Sequence, residues 1–349
     1  MSAQKPDIRE ISQEEISDFV KSSGEKPFRL KQLNEWLWIK GAQSFDEMTS
    51  LSKAFRDKLN ENFSFKTIEI FQEQHSKDKT VKIAFRLFDL SIIEGVLIPS
   101  SNRVTACISS QVGCAMNCKF CATGSMGYKR NLSIGEVFDQ FTILNKRSIE
   151  IYEKPLSNIV VMGMGEPFMN FDNLMFALNK ITDPNGLNFS PTRITISTVG
   201  VPQGIRDFAD SGTKINLAIS LHAANESLRN SIIPIGKKFN MNSLRDAIKY
   251  YHRKTSMRIT YEYILFGGLN DNIEHAMALA DFCKISPCKI NLIEYNSTSN
   301  SQFKTSTPEK RDAFISFLES KNLIVNLRRS KGSDIDAACG QLAGKTKTS

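Results

Sequence analysis

Three of the chain's seven cysteines stand on one short stretch, Cys114-Ala-Met-Asn-Cys118-Lys-Phe-Cys121. At this cysteine frequency a C-x3-C-x2-C spacing arises by chance with a probability on the order of 0.003. Three thiolates on one loop can wrap a single metal centre. They are one short of a closed tetrahedral site, which suits an iron–sulfur cluster with one iron left open to a substrate. Zinc closed by a histidine from elsewhere is the main competitor. A redox pair at Cys118 and Cys121 leaves Cys114 without a role. Three buried structural thiols suit a glycine-rich, polar stretch poorly.

The elements that must position this loop show in the periodicity. Ser12-Gln-Glu-Glu15 offers a capping box, Phe28 to Trp38 spaces its apolar residues as a helix does, and a further amphipathic stretch runs from Leu51 to Phe63. Strand signals follow at 80–87, 92–98 and 104–109. From there strands at 158–162, 193–197, 215–220, 258–266, 289–295 and 323–328 alternate with helices at 133–147, 171–181, 201–209, 241–254, 273–284 and 308–321. Six βα units predict an α/β fold, an open, incomplete (β/α)6 TIM-like barrel with a small N-terminal helical domain. The expected organisation is a helical domain over 1–70, a β-rich extension over 71–100, the barrel core over 101–335 and a C-terminal segment over 336–349. In parallel βα folds the site gathers at the C-terminal strand ends. Gly163-Met-Gly-Glu166-Pro167, Ser197-Thr198, Ser220-Leu221-His222 and Tyr295-Asn296 all fall there.

Composition narrows the class. Hydrophobic residues make up 41%, enough for a sizeable core, and Lys plus Arg exceed Asp plus Glu by 8, 45 against 37. That balance leans toward a polyanionic partner, most simply nucleic acid. No apolar run reaches the roughly 18 residues of a membrane span, and Met1 to Asp7 lacks the apolar core of a signal peptide. A cytoplasmic protein with no membrane partner is expected.

The triad resembles the cluster loop of radical S-adenosylmethionine (SAM) enzymes, in which three cysteines hold a 4Fe–4S cluster and SAM takes the fourth iron. Phe120 matches the aromatic residue that precedes the last cysteine, and Gly163-Met-Gly-Glu-Pro167 resembles the family's SAM amino-group motif. The resemblance implies a radical SAM barrel with Cys114, Cys118 and Cys121 as ligands of one cluster per chain, and Gly165, Glu166 and Pro167 facing SAM. Cys107-Ile-Ser-Ser-Gln-Val-Gly-Cys114, Ser220-Leu-His-Ala223, Cys288-Lys-Ile-Asn-Leu292 and Asp334-Ile-Asp-Ala-Ala-Cys-Gly-Gln-Leu342 are similar to the dual-specificity rRNA and tRNA adenine-C2 methyltransferase family. That likeness spans nearly the whole chain. It adds Ser197, Ser220, Leu221, His222 and Asn296 as SAM contacts.

In that family one SAM methylates a cysteine matching Cys339, and a second is cleaved to a 5′-deoxyadenosyl radical, so two SAM are used per turnover. The detour has a chemical reason, because the electron-poor C2 of adenine does not attack the SAM methyl group. Cys107 matches the thiol that resolves the RNA–protein adduct by a transient disulfide with Cys339, and Glu94 matches the proton acceptor. Such a disulfide needs Cα atoms within about 7 Å, although the two cysteines lie 232 positions apart. The implied partners are 23S rRNA, tRNA and reduced flavodoxin or ferredoxin, with the enzyme a monomer.

Two rivals remain at this stage: the sister family that methylates C8 of the same rRNA adenine, and a zinc-stabilised, non-catalytic RNA-binding protein. Pro167 and Val112 favour the C2 family. Ser297 stands where relatives often have proline. Gly340 to Thr346 imitates a phosphate-binding loop with one residue too few between its glycines. Cys283 and Cys288 read as packing thiols. Arg328-Arg329-Ser330-Lys331 and Lys129-Arg130 read either as solvated charge or as RNA phosphate contacts.

Overall fold

A computed structural model describes residues 5–298 and 302–344, so the expected C-terminal segment lies beyond the described residues from 345 onward. The N-terminal part holds α1 (Gln13–Ser22), α2 (Phe28–Trp38) and α3 (Lys53–Asn62). The capping box forms as the sequence predicts, with Ser12 and Glu15 each accepting from the other's backbone N–H. Arg9 ties this part to the barrel. Its buried guanidinium donates to Asp7 and, at 2.7 Å, to Asp139. It lies across Gly135, where a Cβ would stand 2.3 Å from the Arg9 Cζ.

Four antiparallel strands follow, β1 (Glu69–His75), β2 (Val81–Arg86), β3 (Ile92–Ser100) and β4 (Arg103–Cys107). The edge strand β1 escapes the periodicity reading because its residues are exposed or half-buried and show no apolar alternation. A hairpin of β5 (Gln111–Gly113) and β6 (Tyr128–Asn131) comes next, with the short helix α4 (Ala122–Ser125) in its long connection. That connection carries the cysteine triad.

The chain then alternates α5 (Ile134–Tyr152), β7 (Asn158–Val161), α6 (Phe171–Thr182), β8 (Ile194–Thr198), α7 (Pro202–Asp210), β9 (Asn216–Ser220), α8 (Glu226–Ile232), α9 (Met241–Thr255), β10 (Ile259–Leu265), α10 (Ile273–Cys283), β11 (Cys288–Glu294), α11 (Pro308–Ser320) and β12 (Val325–Arg328). Strand order is β1-β2-β3-β4-β7-β8-β9-β10-β11-β12, parallel from β4 onward. The order has two ends, β1 and β12, so the six βα units form the open barrel that the sequence predicts. Both sides of this sheet are covered; β10 is buried at every position, as strands between helices and barrel interior must be. The small helix α8 has no counterpart in the periodicity reading, being too short to show a repeat.

Candidate active site

Strand β4 does not stop the pairing at Cys107. Ile108 N–H donates to Val160 O at 3.0 Å, Gly163 N–H to Ile108 O at 3.0 Å and Ser110 N–H to Met164 O at 2.8 Å, which zips the turn after β7 onto the start of the cysteine hairpin. Only glycines allow this approach. A Cβ on Gly163 would stand 2.7 Å from Ile108 O, and one on Gly165, at φ 102°, would stand 2.5 Å from Gln111 Cβ. Gln111 Oε1 then accepts from Glu166 N–H at 2.8 Å. The triad and the glutamate are thus fixed against each other by backbone contacts and the Gln111 side chain.

A cavity of about 920 Å³ opens at the C-terminal strand ends. Its walls include Cys114, Cys118, Cys121, Gly165, Glu166, Ser197, Ser220, His222, Glu262, Arg328 and Cys339. A second, of about 630 Å³, adjoins it and is lined by Cys107, Asn296, Arg328, Arg329, Ser330, Lys331 and again Cys339. Cys107 and Cys339 therefore share a cavity, both as free thiols. Two of the sequence-predicted SAM contacts lie elsewhere. Leu221 is buried in the main core, and Pro167 begins a short 3-10 helix behind the glutamate.

Cys339 rides on the C-terminal segment, which is stitched down on three sides. Ala122 N–H donates to Gly340 O at 2.7 Å, Thr123 Oγ1 donates to Leu342 O at 2.6 Å and Asn296 Nδ2 to Cys339 O at 3.4 Å. On the third side Glu94 Oε2 accepts from Ala343 and Gly344 N–H at 2.8 and 3.2 Å, while Oε1 faces Lys82 Nζ at 3.4 Å. Glu94 is buried and lines neither cavity; it grips the tail four and five residues past Cys339. The imitation phosphate loop is part of this docked tail, with Gly344 packed against Ile92 O.

The electrostatics are those of charge held out of water. Desolvation pushes the Cys114 thiol up to about 12 and that of Cys118 well above its ordinary value, and the neighbouring thiols add to both shifts. Cys107 is raised to about 12 by burial and by Cys339. Cys339 is open to both cavities yet enclosed by protein; desolvation raises its thiol while Arg328 draws it down. Burial lifts Glu166 to about 7, although its oxygens accept N–H groups of Phe168 and Val199. His222 is held neutral, lowered to about 3 by burial and by Arg229, and its Nδ1 accepts from Ile264 N–H.

This donor set fits the groups the motifs imply. Glu166 is a buried carboxylate to which no Lys or Arg is paired among the described residues, and an aminoacyl ammonium would complete it. Three thiols that repel one another as thiolates call for a positive centre. No three His, Cys, Asp or Glu side chains among the described residues converge to hold one metal ion.

Comparison with known proteins agrees. Residues 108–280 match the radical SAM superfamily and residues 7–65 a domain described as the ribosomal RNA large subunit methyltransferase N-terminal domain. Barrel, cysteine loop and glutamate turn thus define a radical SAM enzyme, a class that works with SAM and a 4Fe–4S cluster. A crystal structure of a radical SAM methyltransferase from Sphaerobacter thermophilus superposes with a TM-score of 0.91 at 35% identity, over 97% of this chain and 100% of that one. The chain is 49% identical to a probable dual-specificity RNA methyltransferase RlmN of Flavobacterium psychrophilum over 99% of both. It is 44% identical to the dual-specificity RNA methyltransferase RlmN of Nitratidesulfovibrio vulgaris over 96% of this chain and 94% of that one. The chain belongs to the RlmN family.

Two further charged residues line the cavities, and a third is buried near them. Glu262 sits in Tyr261-Glu-Tyr263, an alternation that resembles a strand with one wet face, but the barrel interior lies there instead. Arg328 falls in the run that reads either as solvated charge or as RNA phosphate contacts, and its Nη1 meets Glu262 at 3.5 Å between the two cavities. Arg229 lies on α8 and carried no signal at all.

Proposed function

We propose that this enzyme methylates C2 of adenine in 23S rRNA and in tRNA, with Cys339 as methyl carrier, Cys107 as resolving thiol and Glu94 as proton acceptor. The observation that carries this reading is the position of Cys339, shared between a cavity bearing the triad and Glu166 and one bearing Cys107 and a cationic rim. When bound, the cluster held by Cys114, Cys118 and Cys121 and the two SAM used per turnover supply the methyl group and a one-electron cleavage able to remove hydrogen from a methyl thioether.

The chain's own residues do the rest. Glu166 holds the SAM ammonium; Gly165, Ser197, Ser220 and His222 line its bed, with Leu221 and Pro167 setting the backbone and Asn296 fixing the carrier loop. Arg328, drawing the Cys339 thiol down, favours the thiolate that accepts the methyl group. Once the carrier carbon is joined to adenine C2, Glu94 takes the C2 proton and the adduct's unpaired electron would return to the oxidised cluster; the amides of Ala343 and Gly344 must first release Oε2 of Glu94. Cys107 then attacks Cys339 Sγ. The new S–S bond forms as the C–S bond to the RNA breaks, and the electron pair leaves with the methylated base.

The helices over 7–65 serve to dock RNA, and the electron comes from reduced flavodoxin or ferredoxin. The test is incubation of the reconstituted monomer with rRNA and tRNA transcripts, followed by nucleoside mass spectrometry. 2-Methyladenosine from both is expected, and 8-methyladenosine would refute the C2 assignment.

A further inference from the structure

Arg229 carries a buried charge for which the described residues form no salt bridge. The side chain is 2% exposed, its Nη2 donates to Val199 O, and its Nε is buried without a hydrogen-bond partner. Glu226, whose charge reaches it, uses Oε1 to accept from Met241 N–H instead. The space for it is built: a Cβ on Gly236 would stand 3.1 Å from Nη1 and one on Gly200 3.6 Å from Nη2. A guanidinium stays charged at neutral pH, and a buried ion without a partner is costly enough that proteins pair it.

The missing partner lies toward the cysteine loop. Helix α8 is fastened to that loop by Lys119 N–H donating to Ile232 O at 2.9 Å, and Ile232 and Ile233 pack with Cys118 and Phe120 in one apolar cluster. Arg229 also holds Val199 O, and Val199 N–H donates to Glu166 Oε2 in the wall of the cavity that the triad lines. A 4Fe–4S centre in its oxidised 2+ state, held by three thiolates, is a net monoanion, and one-electron reduction makes it a dianion. In a dry pocket a fixed cation favours the dianion more than the monoanion.

We propose that Arg229 is the buried counter-charge of the cluster, placed beside Cys118 to stabilise the reduced state and so bring its reduction within reach of the electron donor. This rests on the cluster reading above. One electron passes from the external donor to the cluster, and no bond forms or breaks at Arg229; the residue positions charge.

The test is an anaerobic redox titration of the full-length reconstituted protein with dithionite, followed by electron paramagnetic resonance, for wild type, Arg229→Met and Arg229→Lys, with iron and sulfide assayed in each. Arg229→Met is expected to load iron and to lower the equilibrium constant for reduction about tenfold, which for one electron is about 59 mV more negative. Arg229→Lys should stay within about twofold of wild type. Loss of the cluster in Met but not in Lys supports the same conclusion. Equal potentials in all three overturn it, as does loss of the cluster in both variants when thermal unfolding is unchanged. A shift that appears only with SAM present assigns the guanidinium to the SAM carboxylate and also overturns it. A wild type that takes up no iron overturns the cluster reading together with this one, whereas a loaded wild type with an unshifted variant overturns this one alone.

Discussion

Replacing Glu166 by Gln separates two effects, the desolvation of a buried carboxyl and the recognition of the SAM ammonium proposed for it. Burial holds the folded carboxyl at about 7 against an ordinary 4.5. Between those values the folded protein binds a proton that the unfolded chain has released. Stability from this group is therefore complete below pH 4.5 and is lost as pH rises through 7, about 3 kcal/mol in all. Gln has no such dependence. Its amide instead turns an NH2 toward the N–H of Phe168 or Val199, which the carboxylate oxygens now accept, at about 1–3 kcal/mol. The metal-free variant should therefore be less stable than wild type at pH 5 and draw near to it at pH 8. In the reconstituted enzyme the lost charge-assisted bond, about 1.5–3 kcal/mol, should weaken SAM about 10- to 150-fold. Thermal melts at the two pH values and titration calorimetry with SAM measure both. Parallel stability profiles would refute the desolvation argument, and undiminished SAM affinity would remove Glu166 from the ammonium.

Cys107→Ala should trap the RNA on Cys339, seen as a labelled band that survives a denaturing gel; free methylated RNA at the wild-type rate would exclude the resolving role. Asp139→Ala leaves Arg9 buried with half its carboxylate partners, so the chemical-denaturation midpoint should fall by the equivalent of about 3–5 kcal/mol. Gly113 and Gly127 both sit at positive φ in the cysteine hairpin, but a Cβ on Gly113 would lie 1.9 Å from Gly127 O while one on Gly127 meets nothing within 4 Å. Gly113→Ala should abolish iron loading, and Gly127→Ala should cost only about 1–2 kcal/mol of backbone strain with iron content retained.

The barrel was legible because parallel strands between helices are near-continuous apolar runs, as in Asn158-Ile-Val-Val161 and Ile215 to Ser220, and because the intervening helices keep a 3.6-residue period. The triad and the glycine turn were legible because they are local: one loop supplies all three thiols. What the chain concealed depends on burial that sequence neighbours do not report. A charged residue at a strand position is usually wet, so nothing in the sequence singles out the pairing of Glu262 with Arg328, which meet across 66 positions. Arg229 gave no warning because its environment is made by glycines from two other segments.

Cys339 was readable only through a family likeness, and the structure gives that likeness a physical basis. A thiol on a barrel strand would be fixed; one on a tail held by a few hydrogen bonds can exchange partners. The tail's bonds run to the cysteine hairpin through Ala122 and Thr123 and to the strand of Glu94 through Ala343 and Gly344. On the roles proposed for Glu94 and Cys339, Oε2 of Glu94 is occupied by the amides of Ala343 and Gly344, so a shift of the tail that carries Cys339 would also free the base. The proposed carrier lies four residues from the first of those amides, which ties the two groups to one segment.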